Sequence, residues 1–298
     1  MDIRTYLQEG AARVEARLAE ITAGDAAPFS LVHNAMAYSL FAGGKRIRPI
    51  LAMASCEACG GDVDVALTFG CALEMIHTYT LIHDDLPAMD NDEMRRGRPS
   101  NHVKYGEAQA LLAGCGLLTW AYEVMANEGR EGRVPADIAV RIIAETSRRI
   151  GWQGTMGGQS LDMIYTTQGT PPSLEELRLM EYAKTAELLN LAILHGALVA
   201  NADEPALAAL TVFGENIGLA FQVADDVLDV VADPEQFGKP IGSDKAQGKT
   251  TYVDHLGLDG ARNYLKELLD TALLALADFD AKADALRALA RFIVERAY

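Results

Sequence analysis

The sequence predicts an all-α fold, and three observations predict it. Between breaks, apolar residues recur at three and four positions, as in Ile138-Ala139-x-x-Ile142-Ile143 and Leu265-x-x-Leu268-Leu269-x-x-Ala272-Leu273. The breaks are short clusters of Gly, Pro or Asp, at 23–28, 42–49, 59–62, 97–106, 128–135, 151–158, 169–172, 201–205, 233–248 and 257–260. No stretch alternates polar and apolar residues as a half-buried strand would. About ten helices follow from this punctuation. No segment has the composition of a flexible linker and no repeat of fixed period is present, so residues 1–298 are read as a single domain.

Composition narrows the partners. Half of the 298 residues are apolar, enough for a sizeable core, and the formal net charge of -16 argues against general binding to nucleic acid or anionic membrane. The N-terminus mixes charges with apolar residues at helical spacing, unlike a secretory signal. No run approaches the ~20 uncharged apolar residues of a membrane span. Leu188–Ala200, the most apolar region, carries Asn190 and His195 and reads as a buried helix. The four cysteines, Cys56, Cys59, Cys71 and Cys115, fit reduced, packed thiols of a cytoplasmic protein. Cys56-x-x-Cys59 lacks both a full set of zinc ligands and a redox βαβ setting.

Two segments bear the chemistry. Ala72–Asp85 (ALEMIHTYTLIHDD) is a long apolar helical pattern ending in adjacent carboxylates, with His77, Thr80, Asp84 and Asp85 near one stripe. Pro87 removes a backbone donor and crowds the preceding turn, so the helix should break there. That break can fold Asp90 back toward Asp84 and Asp85. Gly218–Asp229 (GLAFQVADDVLD) sets Gln222, Asp225, Asp226 and Asp229 at i, i+3, i+4 and i+7 on an otherwise apolar helix. Clustered carboxylates on a mostly buried helix repel one another and lose hydration unless a cation sits among them. All-oxygen donors favour magnesium or manganese. A solvated polar face is the plainer reading of either stripe, and the apolar residues around both weigh against it.

Cations accompany the aspartates. Lys45, Arg46 and Arg48 follow a Gly pair in GGKRIRP, and Arg95, Arg96 and Arg98 follow the first cluster in RRGRP. Lys239 and Lys249 bound the Gly-rich stretch after the second cluster. Diphosphate suits such a site, because metal bridges its oxygens to Asp while Arg and Lys neutralise the rest. Gly44-Lys45 is not a P-loop, since Arg46 follows it and the upstream glycine is missing. Glu74-x-x-His77 matches half of a di-iron bundle motif, and no second copy exists in the sequence.

These residues bring a family into view. The pieces Ala35-Met36-x-Tyr38-Ser39-Leu40, GGKRIRP, MIHTYTLIHDDLPAMDNDEMRRGRPSNH, Gly158-Gln159-x-x-Asp162, Lys184-Thr185, FQVADDVLD and GSDKAQGKTTY occur in order over about 220 residues. The sequence resembles the trans-isoprenyl diphosphate synthases, most closely those of the bacterial farnesyl diphosphate type. The resemblance implies an all-α bundle around a deep central cavity, a homodimer, and three Mg²⁺ per site. It implies that Asp84, Asp85 and Asp90 hold two ions and that Asp225 and Asp229 hold the third. It matches Arg95, Lys184, Lys239 and Lys249 to the allylic diphosphate, and Lys45, Arg48, His77 and Arg96 to isopentenyl diphosphate. Thr185 and Gln222 match groups facing the allylic carbocation, with Phe221 beside Gln222 among the substrate contacts.

The implied reaction is a head-to-tail 1'-4 condensation, with a farnesyl (C15) product and a geranylgeranyl (C20) alternative. A class I terpene cyclase and a non-catalytic regulatory subunit are the other readings. Asp225-Asp226-x-x-Asp229 argues against the first, and the retained aspartates and lysines argue against the second. Tyr79 precedes Asp84 by five residues, roughly 7–8 Å deeper along the helix, where a ring would limit chain length. A core tyrosine is the plainer reading of that position. Cys115, Ala186 and Val253 depart from the family pattern, which usually has aspartate, glycine and proline there.

Overall fold

The computed structural model describes residues 1–24, 26–231 and 249–295. In chain order the helices are α1 (Ile3–Ile21), α2 (Ser30–Leu40), α3 (Ile47–Ala58), α4 (Val63–Asp84), α5 (Asn101–Tyr105), α6 (Glu107–Arg130) and α7 (Ala136–Ile150). They continue as α8 (Thr155–Gln168), α9 (Leu174–Glu181), a π-helical turn (Tyr182–Ala186), α10 (Glu187–Val199) and α11 (Glu204–Val231). After the undescribed stretch come α12 (Tyr252–Ala275), a 3₁₀ turn (Ala281–Ala283) and α13 (Asp284–Glu295). The fold is all-α, as the apolar spacing predicts.

Side-chain caps set several of the helix starts. Asp62 accepts the Asp64 backbone N–H at 3.0 Å and opens α4. Ser173 with Glu176 opens α9, and Thr251 with Asp254 opens α12, each pair forming a reciprocal capping box. Helices α4 and α10 are buried on nearly every face, from Val65 to Met75 and from Leu188 to Leu198. They therefore form the centre. Helices α3 and α6 pack on α4, α3 and α11 pack on α10, and α12 covers α11. Helices α4 and α11 are long and apolar enough to cross a membrane by length and composition alone. Within the fold, 78% of the apolar window of α4 and 50% of that of α11 is buried against other helices.

The structure refines the punctuation at three places. The 97–106 break holds the short helix α5. Just before it, Met94–Arg95 pairs antiparallel with Arg98–Pro99, a ladder that period-two counting misses because each strand is two residues long. Arg96 and Gly97 take positive φ (54° and 72°) to make its two-residue turn. The 257–260 break is a kink inside α12, where Gly257 leaves helical geometry at φ 70°. Cys56 and Cys71 are buried free thiols and Cys59 is partly buried. Cys115 corrects the expectation of packed thiols, because its side of α6 is exposed.

Among the buried polar residues of the central helices is His195. Its Nε2 lies 2.8 Å from the Thr146 hydroxyl, and no surface of the residue reaches solvent. Burial, with Arg149 nearby, holds the imidazole at a pKa of about 3. An unfolded chain takes up this proton near pH 6.5 while the folded one refuses it, so stability is lost as pH falls from 6.5 toward 3. The loss is on the order of a few kcal/mol. Replacing His195 with the neutral Gln should flatten the stability–pH profile between pH 6.5 and 4, measured by urea unfolding across that range.

Candidate active site

A cavity of about 640 Å³ opens between α3, α4, α9 and α11. Two groups of side chains line it, a basic wall of Lys45, Arg46, Arg48, His77 and Arg96 with Glu74, and an acidic wall of Asp162, Glu181, Lys184, Gln222, Asp225, Asp226, Asp229 and Lys249.

The basic wall is built around Arg46. This residue is 2% exposed, adopts φ 51° and turns inward. Its Nη1 donates to Glu74 Oε1 at 2.8 Å, its Nε to Glu15 Oε1 at 2.8 Å, and its Nη2 to the Leu40 carbonyl at 2.7 Å. Glu74 is 2% exposed and committed to this pair, which accounts for Glu74-x-x-His77 without a di-iron centre. Arg46 and Glu74 line the cavity together with the neighbouring Lys45 and Arg48. The Gly43-Gly44 turn (φ 89° and 135°) lets Arg96 lie against it. Arg96 donates to the Gly43 carbonyl, and a Cβ on Gly44 would come within 2.9 Å of its guanidinium carbon.

Arginines crowd this wall. Burial pulls Arg48 down to about 10 against the attraction of Glu74. Its Nε is a buried donor with no protein partner. His77 is held well below its ordinary range by burial and by Arg48, Arg96, Arg95 and Arg46, so its imidazole is neutral. A wall of this kind gains from an anion that accepts from Arg48 and offsets the arginines.

The acidic wall depends on close helix approaches. A Cβ on Gly158 would meet the Lys184 backbone nitrogen at 2.3 Å, so only glycine lets α8 press against the π turn. Asp162, one turn along α8, then reaches the Lys184 ammonium in an ion pair. A Cβ on Gly218 would meet Ala186 Cβ at 2.6 Å, which brings α11 and Gln222 equally close. At Ala186 the departure from glycine therefore places a methyl directly on Gly218. The π turn widens the backbone at Lys184 and Thr185, as single π turns often do at functional sites. Burial works against the charge on Lys184, but Asp162, Asp84 and Glu181 outweigh it and raise its pKa.

The first aspartate cluster sits at the end of α4, beside this wall. The helix stops at Asp84, and the Asp90 N–H donates to the Asp84 carbonyl at 2.9 Å, so the chain does fold back past Pro87. Burial, reinforced by Asp90, pushes the Asp84 carboxyl up to about 6 against the pull of Lys184. Asp85 turns to the other side, 3% exposed, where the Arg95 guanidinium grips both its oxygens and also reaches Asp92. Asp85 and Arg95 line a smaller neighbouring cavity with Tyr38, Arg98 and Asn101. Tyr79, 6% exposed, meets His83 edge-on at 5.3 Å and is not among the lining residues of the large cavity. Thr185 is likewise absent from that lining. Lys239 lies outside the described residues.

The donor chemistry fits magnesium or manganese. Every candidate is a carboxylate, and Asp225 and Asp229 share the cavity with Lys184 and Lys249. Among the described residues, no three His, Cys, Asp or Glu side chains close around one point. Mg²⁺ takes one or two carboxylates and completes its shell with water and phosphate oxygens. Two cavity residues escaped the sequence reading. Asp162 lay in a quoted motif without a role, and Glu181 is a lone acid on an amphipathic helix with no signal in spacing.

Comparison with known proteins places the chain in a family. The polyprenyl synthetase family profile matches residues 29–289. A farnesyl diphosphate synthase from Geobacillus stearothermophilus is 40% identical over 296 residues, covering 99% of this chain and 98% of that protein. A geranylgeranyl diphosphate synthase from Cyanophora paradoxa is 46% identical over 268 residues, covering 90% and 88%. The apo crystal structure of an FPP/GFPP synthase from Zymomonas mobilis superposes with a TM-score of 0.88 at 33% identity, covering 98% and 99% of the two chains. The ordered motifs, the helical architecture and these likenesses agree, and the chain belongs to the polyprenyl synthetase family.

Proposed function

We propose that this prenyltransferase condenses isopentenyl diphosphate head-to-tail (1'-4) with dimethylallyl and then geranyl diphosphate, giving farnesyl diphosphate. One observation carries the reading: arginines and Lys45 line the same cavity as Lys184, Lys249 and the second aspartate cluster, as two diphosphates on metal require. Lys45, Arg48, His77 and Arg96 bind isopentenyl diphosphate, with the Arg48 Nε supplying a donor that lacks a protein partner. Lys184 and Lys249, with Arg95 and Lys239, bind the allylic diphosphate.

Asp84, Asp85 and Asp90 would hold two Mg²⁺ and Asp225 with Asp229 a third, manganese being a substitute. When bound, these ions neutralise the diphosphate and make it a leaving group. The lysines hold that group in place as the C1–O bond breaks. Gln222 turns its oxygen toward the allylic cation, Thr185 standing outside the cavity lining, and Phe221 and Leu189 keep the wall beside it apolar. The isopentenyl double bond then attacks C1, and the proton leaves to the departed diphosphate.

The whole of 1–298 acts as one polyprenyl synthase domain in the cytoplasm, without a nucleic-acid partner. Exposed Leu31 on α2 and Leu111 and Leu112 on α6, two helices packed together, support a homodimer face. A C20 product is the second reading, favoured by the identity to the Cyanophora geranylgeranyl synthase.

Purified protein with Mg²⁺, dimethylallyl and isopentenyl diphosphates should yield C15 diphosphate by chromatography, and chelation should abolish it. A cyclised hydrocarbon, or no elongated product, would remove this reading. Tyr79→Ala should lengthen the product beyond C15. If chain length does not increase, Tyr79 is not the floor. His77 should stay neutral from pH 8 down to 5 by NMR titration, and inorganic diphosphate should raise its pKa by offsetting the arginines around it. An unmoved pKa would place the anion elsewhere.

A further inference from the structure

The amide of Gln222 can present either end to the cavity, and the reaction tolerates only one of them. Its oxygen would stabilise a developing allylic cation, whereas its NH₂ would repel it. The backbone of α11 does not choose between the two, because the terminal amide torsion is broad and roughly two-fold. A neighbouring group has to decide.

That group is Glu181. It closes α9, immediately before the π turn, and lines the same cavity as Gln222, Lys184 and Lys249. Gln222 Nε2 lies 2.6 Å from Glu181 Oε2. The NH₂ of Gln222 donates this bond and the Glu181 carboxyl oxygen accepts it. The amide oxygen, on the opposite side of the same planar group, then points away from Glu181. Burial is the largest influence on Glu181 and raises its pKa, while Lys184, the Gln222 amide and Lys249 pull it back down.

We propose that Glu181 is a positioning residue for prenyl transfer: its carboxylate holds the NH₂ of Gln222 and so aims the Gln222 oxygen at the allylic cation. The proposal rests on the reading of Gln222 given above. Glu181 makes no bond to substrate and transfers no proton. The two residues come from different helices, α9 and α11, which meet here because Gly218 admits Ala186 of the π turn. The orienting contact is thus set by the same close approach that places Lys184.

The test is a double-mutant cycle on kcat and KM, using Glu181→Gln, Gln222→Leu and the pair, each checked for an unchanged melting temperature. Glu181→Gln replaces a pure acceptor with an amide that can pair either way and frees Gln222 to flip. The expected result is a fall in kcat of about ten- to a hundred-fold, below the full loss of a transition-state dipole. KM for both diphosphates should stay within about two-fold, since neither residue is assigned to a phosphate. In the Gln222→Leu background, Glu181→Gln should lower kcat no further. If Gln222→Leu lowers kcat and Glu181→Gln does not, or if the two losses multiply, Glu181 does not act through Gln222. If Gln222→Leu itself leaves kcat unchanged, the carbocation role of Gln222 fails, and the positioning role with it. A raised KM for allylic diphosphate in Glu181→Gln would instead assign Glu181 to Lys184 and overturn the proposal.

Discussion

The buried ion pair between Arg46 and Glu74 is the contact on which the substrate cavity depends. It ties the loop before α3 to the middle of the central helix α4, and both partners are about 2% exposed. Removing one partner of such a pair strands a charge in the interior, at a cost of about 3–5 kcal/mol. Glu74 also attracts Arg48 and Arg96, and Glu15 adds a second carboxylate beside Arg46 and Arg96. These two charges let the arginines assemble, and the Arg48 Nε is left a buried donor without a partner among the described residues, which an anion can supply. A fully paired wall would be more comfortable when folded and poorer at binding diphosphate.

The opposite wall follows another rule, backbone proximity. Gly158 and Gly218 are positions where a methyl group would collide with the π turn. Their absence of side chains draws α8 and α11 in until Asp162 reaches Lys184 and Gln222 reaches Glu181. Here carboxylates outnumber lysines, and Asp84 next to this wall is pushed up to about 6. Among the described residues, one wall is rich in cations and the other in carboxylates. A diphosphate carried on divalent cations suits both, which links the electrostatics of the folded chain to its chemistry.

How far the sequence is legible depends on whether a residue's role is local. The helices were readable from spacing, because one buried face imposes a period of 3.6 residues. The return of Asp90 was readable from Pro87, since a missing donor acts within one turn. The aspartate stripe of α11 was readable because i, i+3, i+4 and i+7 share a face whatever surrounds the helix. The hairpin at Arg96-Gly97 was not, for two-residue strands carry no pattern. Nor did spacing separate Arg46 from Lys45 and Arg48, which look alike until a positive φ turns one of them inward.

The sequence by itself determined the fold class, the family, and the residues able to carry charge. Those properties reside in composition, periodicity and ordered motifs, and each survives without knowledge of neighbours. The tertiary structure alone decided which charges are committed. It gave Arg95 to Asp85, Arg46 to Glu74 and Lys184 to Asp162. It turned Asp85 away from the large cavity and brought Glu181, unremarked in the sequence, against Gln222. The physical reason is range. Pairing and desolvation act over a few ångströms between segments distant in the chain, and only the packed helices set those distances.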